Sequence, residues 1–184
     1  RLIVESIDMS CPMRLRGRRR PHEMEPTAAT NHEQAVPAAA TAPSPSQLRA
    51  TQERYARLPL VYACSGCSSA AQLANQLALR LDHQGLAEMS CIAGVAADVK
   101  PLVRTARAGR PMLALDGCPL HCVRHALARQ GVAATVHVDF SRHGVAKDLH
   151  RLPEPEEAEQ AWTWVVLPAL LQVHESGQPP AGPA

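Results

Sequence analysis

Apolar residues along this chain fall into short runs separated by longer stretches with a helical period. The run "LPLVYAC", residues 58–64, has the length and composition of a buried strand. In "SSAAQLANQLALRLDHQG", residues 68–85, Ala70, Leu73, Ala74, Leu77 and Leu81 share one helical face. Ser69 and Gln72 have the spacing of a capping box, and Gly85 ends the unit. "AEMSCIAGV", residues 87–95, reads as a weaker strand and a loop. Asp98 can cap a helix through "VKPLVRTARA", closed by Gly109. "RPMLALDGC", residues 110–118, is a third strand. Pro119 suits a first helical position, and "LHCVRHALARQ" runs from there to Gly131. "AATVHVDF", residues 133–140, is a fourth strand. "EPEEAEQAWTWVVLPALLQV", residues 154–173, is a last helix with acids in its first turn and an expected kink at Pro168.

Strands that alternate with helices of this length predict crossover units and a mainly parallel sheet. The expected fold class is therefore α/β, a compact three-layer domain with about four strands and helices on both faces. Its expected limits are residues 58–174. Residues 1–57 read as a disordered tail, since "PAAATAPSPSQ" has no apolar period with which to offset ordering entropy. Residues 175–184, "ESGQPPAGPA", read the same way.

Charge narrows the function classes. Lys and Arg total 19 against 17 Asp and Glu in 184 residues, and nine of those bases lie in residues 1–57. The expected domain is thus slightly acidic, which argues against a nucleic-acid partner. Aromatic residues make up 3%, too few to offer a stacking surface for bases. No apolar run approaches membrane-spanning length, so no membrane partner is expected. "RLRGRRR", residues 14–20, precedes a polar stretch rather than an apolar one, and reads as a solvated basic tail. Six cysteines without a secretory leader suggest a reducing, cytoplasmic setting. Clustered thiols there are more often metal ligands or catalytic groups than structural disulfides.

Five of those cysteines fall inside the expected domain, each near the C-terminal end of a strand. Cys64 ends the first strand and Cys67 lies in the turn after it. Cys91 lies at or just past the second strand. Cys118 ends the third strand, and Cys122 follows one turn later. Those strand ends share one edge of an open parallel sheet, where ligands bind. A strand order of 2-1-3-4 would make all five neighbours. Four thiolates can hold Zn2+ tetrahedrally at about 2.3 Å. Three alternatives stand beside this reading. "CSGC" before a capped helix suits a redox dithiol of Cys64 and Cys67. An iron–sulfur cluster takes the same four ligands. Single thiols at strand ends also serve as plain packing groups.

The neighbours are weaker candidates. His125 is three residues from Cys122, and His121 adjoins it, but imidazoles on a helix surface are commonly solvated. His137 alternates within "TVHVDF" and reads as solvent-facing. Asp116 is either a turn residue or an acceptor that orients the thiol loop. Gly117 lets the backbone pass close to the site. "SGCSS" offers backbone N–H groups to an anion, with no phosphate-loop lysine after it.

Three segments, "YACSGCSSAAQLANQLALRL", "AEMSCIAGVAADVKPLV" and "ALDGCPLHCVRHAL", together resemble the DGC-domain family, named for its Asp-Gly-Cys motif. The resemblance covers residues 59–150, with the motifs in the family's order. It implies a zinc-binding protein with four chelating cysteines. Position by position these fall on Cys64, Cys91, Cys118 and Cys122, with Cys67 as a fifth thiol. The implied cofactor is Zn2+. A thiol redox protein and a metal-sensing or metal-delivery module are the competing functions.

Overall fold

The structure is a computed structural model that describes residues 43–177. Cys11 and the outer parts of both expected tails lie outside the described residues. Four strands form one sheet: β1 (Leu60–Ala63), β2 (Glu88–Met89), β3 (Met112–Asp116) and β4 (Val136–Asp139). Their order is β2-β1-β3-β4 and every pairing is parallel. The α/β class follows the sequence expectation, and the order is the 2-1-3-4 arrangement on which the neighbouring of the thiols is conditional.

β1 and β3 are central, and every residue in them is buried, as a strand covered on both faces requires. Helix α2 (Ser69–His83) connects β1 to β2. It buries Ala70, Leu73, Ala74, Leu77 and Leu81, the face its sequence period marks. Leu73, Leu77 and Leu81 are each at most 1% exposed, so each contributes about 2 kcal/mol of burial. Helices α3 (Ile92–Ala96) and α4 (Lys100–Ala106) lead to β3, and α5 (Cys122–Arg129) connects β3 to β4. Right-handed crossovers set α3, α4 and α5 on the face opposite α2. The C-terminal helices α6 (Pro155–Ala161) and α7 (Leu167–Gly177) lie beside α2. There Arg80 pairs with Glu159 at 2.7 Å and its guanidinium stacks 4.2 Å over the Trp162 ring.

Several expectations are corrected locally. Helix α1 (Pro45–Ala56) occupies part of the expected disordered tail. Ser44 and Gln47 form a reciprocal capping box, with Pro45 in the first turn, which starts a helix that buries none of its own residues. Its C-terminal end is tied down: the Tyr55 hydroxyl donates to Asp82 O at 2.9 Å, and Arg110 Nη2 donates to Tyr55 O at 2.8 Å. The cap of α2 is Ser68 rather than Ser69, its hydroxyl accepting from Ala71 N at 3.3 Å. The stretch after β2 is a short helix, α3, instead of a loop. Asp98 sits at φ 58°, between α3 and α4, and caps neither. Helix α5 begins at Cys122 and not at Pro119, because His121 takes a left-handed conformation at φ 48°. The irregularity expected at Pro168 is a π-helical turn at Trp162–Val166, where Leu167 N–H reaches back to Trp162 O.

Candidate functional site

Register fixes which side chains share a face. Tyr62 pairs with Ala114, which pairs with His137. One pair further along, Ala63 meets Leu115, so Cys64 lies beside Asp116, which pairs with Asp139. Residues two apart on a strand point to the same side. Tyr62 and His137 therefore form one row, and Cys64, Asp116 and Asp139 the next, all on the α5 side of the sheet.

Asp116 is fully buried. Its Oδ1 accepts from Val123 N at 2.9 Å and its Oδ2 from Arg124 N at 3.2 Å. The carboxylate thus serves the first N–H groups of α5, an end that favours negative charge. His137 Nε2 closes on the same Oδ2 at 2.9 Å. A parallel pair stands next to it: His121 Nε2 meets Asp139 Oδ2 at 2.8 Å, and Asp139 Oδ1 accepts from both Ser141 N and Ser141 Oγ. The two imidazoles meet edge to face with centroids 5.0 Å apart. Burial raises the Asp139 carboxyl, but the Ser141 bonds and His121 outweigh it and hold the pKa below the usual value.

Gly117 works through what it lacks. A Cβ there would lie 2.4 Å from Ala70 O, 2.6 Å from Ala70 C and 2.8 Å from Ala71 N. The chain after β3 therefore runs directly against the first turn of α2, and only glycine fits. From that position Gly117 N–H donates to Cys64 Sγ at 3.1 Å. This bond joins the thiol after β1 to the loop after β3.

The five thiols differ in exposure. Cys64 is 7% exposed, Cys118 is intermediate, and Cys67, Cys91 and Cys122 are exposed. Burial pushes the Cys64 thiol up to about 11, helped by the charges of Asp116, Cys118 and Cys122 and opposed by Gly117 N–H. Cys118 and Cys122 are thus near enough to act electrostatically on Cys64. Cys91 lies at the N-terminal cap of α3 with no capping hydrogen bond of its own, and it acts electrostatically on Tyr62. Cys67 stands off from the sheet, its backbone O accepting from His150 N at 3.1 Å. Among the described residues, no three Cys, His, Asp or Glu side chains converge closely enough to hold an ion as they stand.

One feature suits a thiophilic ion: the donor set at this edge is thiol-rich. Cys64, Cys91, Cys118 and Cys122, the four thiols that the family resemblance nominates, would have to move together to hold Zn2+, and Cys67 is exposed like Cys91 and Cys122.

The anion reading of "SGCSS" is not favoured. Ser69 N already donates to Asp148 O, and Ala71 N and Gln72 N donate to Ser68. The segment 145–150 straps this helix end, with Ser68 and Leu149 forming an isolated antiparallel bridge. His125 is exposed, as its helix-surface position suggests. His137 departs from its solvent-facing expectation through its bond to Asp116. Sequence reasoning also passed over Asp139 and Tyr62. The available signal was strand alternation, which puts Asp139 with His137 and Tyr62 with Cys64.

Among the described residues, no helix is long and apolar enough to cross a membrane. No solved structure matches the chain. A curated relative, the anaerobic and virulence modulator AnvM of Pseudomonas aeruginosa, is 64% identical over 114 residues. That match spans 62% of this chain and 86% of the relative. The DGC domain matches residues 60–165, which include all five thiols and both Asp–His pairs, and the chain belongs to the DGC-domain family.

Proposed function

We propose that this domain binds one Zn2+ through thiolates at the C-terminal edge of its parallel sheet. Cys64, Cys91, Cys118 and Cys122 are the ligands, and Cys67 is the reserve thiol. The observation that carries this reading is the 3.1 Å bond from Gly117 N–H to Cys64 Sγ. It joins two distant motifs, the thiol after β1 and the Asp-Gly-Cys loop after β3, with an N–H donor placed where it stabilises sulfur charge. Bound Zn2+ would supply the positive charge that keeps buried sulfur deprotonated. Asp116 and Gly117 hold the loop that carries Cys118, and the remainder of Asp116's bonding fixes Cys122 at the start of α5.

Four protein thiolates close the coordination shell, which suits a structural or sensing role over turnover of a substrate. The relative's name, a modulator, supports a regulatory role for this chain. The reading sets the protein in the reducing cytoplasm, where such thiols stay available to metal. A dithiol of Cys64 and Cys67 is less well supported, because Cys64 is buried while redox thiols need access.

Metal analysis and an absorbance spectrum on protein purified without chelator test the proposal. A colourless protein with one zinc per chain is expected. A brown protein with iron would replace it with an iron–sulfur centre. A metal-free protein whose thiols reappear with reductant, and not with chelator, would replace it with a redox site.

A further inference from the structure

Total charge hides how unevenly the folded domain carries it. On the face opposite α2, exposed bases stand on α4 and α5 or at the end of α4: Lys100, Arg104, Arg107, Arg124 and Arg129. Among the described residues, only Lys100 of this set has an acidic partner, Asp98 at 3.0 Å. The arginines are left without a carboxylate to neutralise them. Arg104 and Arg107 line one cleft of about 450 Å³, together with Asp98, Lys100, Val103 and Ala108. An apolar strip continues along the helix, since Val99 lies four residues before Val103 on the same side and is 43% exposed.

Arg107 separates this cleft from an ordinary basic surface. Its Nε donates to Gln130 O at 3.0 Å and its Nη2 to Gln130 Oε1 at 3.3 Å. Gln130 is itself held, its Nε2 donating to Val95 O at 3.2 Å. Neutral acceptors thus orient the guanidinium and leave its charge unspent. Among the described residues, its Nη1 makes no hydrogen bond. Holding an exposed arginine still costs rotamer entropy, and a guanidinium already held loses less when a carboxylate arrives. The rest of the lining distinguishes between anionic partners. Asp98 would repel a phosphate backbone, and no aromatic side chain lines the cleft for a base to stack on. The exposed apolar surface of Val99 suits a peptide side chain and is of no use to phosphate. We propose that the α4 cleft is a docking site for an acidic, amphipathic segment of a partner protein, with carboxylates on Arg104 and Arg107 and an apolar side chain against Val99 and Val103. Arg104 stands one helical turn from Arg107, so two acids a turn apart on the segment meet both. No thiol lines the cleft, and the inference stands apart from the zinc reading.

The test uses the full chain and fluorescence anisotropy, with a labelled peptide of alternating glutamate and leucine pairs as the probe. Wild type should bind this peptide with an affinity that falls as salt rises. Arg104→Ala and Arg107→Ala should each weaken binding about three- to fivefold, the effect of one exposed charge contact. Gln130→Ala keeps every charge but frees Arg107 to rotate, and should weaken binding about twofold. Val99→Ser should also weaken it, because the apolar anchor is lost. Arg124→Ala and Arg129→Ala remove the same charge outside the cleft and should leave the affinity unchanged. The arginines are exposed, so these variants should melt with wild type. Equal losses from all the arginine variants would reduce the cleft to diffuse attraction and overturn the proposal. A labelled DNA duplex that binds more tightly than the peptide, and is lost with Arg104→Ala and Arg107→Ala, overturns it in favour of nucleic acid. Self-association of the protein alone, seen by sedimentation and lost in the same variants, overturns it in favour of a second copy of the chain. Wild type that does not bind the peptide even at low salt overturns it outright.

Discussion

Gly117→Ala is the substitution whose consequence the geometry states most sharply. The new methyl carbon would meet three backbone atoms of the first turn of α2, at 2.4, 2.6 and 2.8 Å. No side chain can rotate away to relieve this, so the loop after β3 or the start of α2 has to move. Overpacking of this kind costs about 1–3 kcal/mol. A loop displaced by even an ångström also loses the Gly117 N–H bond to Cys64 Sγ, roughly another 1 kcal/mol. The sum, about 2–4 kcal/mol, corresponds to a fall of about 8–16 °C in melting temperature for a domain of this size. The matched control is Gly66→Ala, where the added carbon meets only Ala71 Cβ at 3.8 Å, an ordinary contact. That variant should melt within about 2 °C of wild type. Zinc affinity should fall with stability in Gly117→Ala, because Cys118 travels with the loop. Differential scanning fluorimetry and a zinc competition assay measure both. A Gly117→Ala protein that melts within 2 °C of wild type would refute the claimed close approach.

Four further outcomes follow from the same geometry. Cys118→Ser and Cys122→Ser should each weaken zinc by orders of magnitude, because serine stays protonated at neutral pH, while Cys11→Ser should leave binding unchanged. A larger loss in Cys67→Ser than in Cys64→Ser would reverse the assignment of the first ligand. The Asp139 carboxyl is held below its ordinary value in the folded state, so its stabilisation is complete above the unfolded pKa and is lost as pH falls through the folded one. The melting-temperature gap between wild type and Asp139→Asn should therefore narrow as the solution is acidified below the ordinary carboxylate range, and a gap that does not narrow on acidification would contradict this. A chain starting at Leu58 should keep its full metal content and lose about 1–2 kcal/mol, since removing α1 deletes the Tyr55 bonds to Asp82 and Arg110; loss of metal would implicate the N-terminal segment in the site. Chelation of the loaded protein should lower its melting temperature without abolishing the cooperative transition, and complete unfolding by chelator would show that the sheet has no independent core.

The sequence pattern disclosed the parallel sheet because short apolar runs alternate with helical stretches, and the two central strands are apolar throughout. The 2-1-3-4 order was the arrangement that gathers the thiols, and the sheet has it. Local starts and stops were harder. Ser68 and Ser69 are adjacent candidates for one cap, and only the backbone decides between them. Asp98 and His121 take left-handed conformations, for which Asp and His are enriched among non-glycine residues but which are still uncommon at any one such position. "IAGV" is apolar enough for a strand, but after two residues of β2 it turns into a helix, where Gly94 packs under Leu102. The helix at Pro45–Ala56 carried its own signal, "SPSQ", inside a segment whose overall composition pointed the other way. The Asp116–His137 bond was invisible because it depends on the register between β3 and β4, which a single sequence does not state, and the Asp139–His121 bond depends also on the left-handed turn at His121 before α5.

The Asp-Gly-Cys triplet gains a physical meaning from these contacts. Asp116 belongs to β3 and holds α5 by its first N–H groups. Gly117 belongs to neither element and passes under α2, holding Cys64 by its own N–H. Cys118 comes next, where the chain has just been constrained from both sides. Each residue type is needed for a different reason: a buried acceptor, an absent side chain and a soft donor. The triplet therefore couples the starts of the helices on opposite faces of the sheet to the same three-residue loop. An ion held at Cys118 and Cys122 would act on that coupling directly, because Cys122 begins the helix that Asp116 anchors. Metal occupancy and the seating of α5 would then be linked equilibria, each favouring the other by the same free energy. The proposed sensing role would need such a link between a small ligand and a structural element, and Asp116, Gly117 and Cys118 are the residues through which it would run.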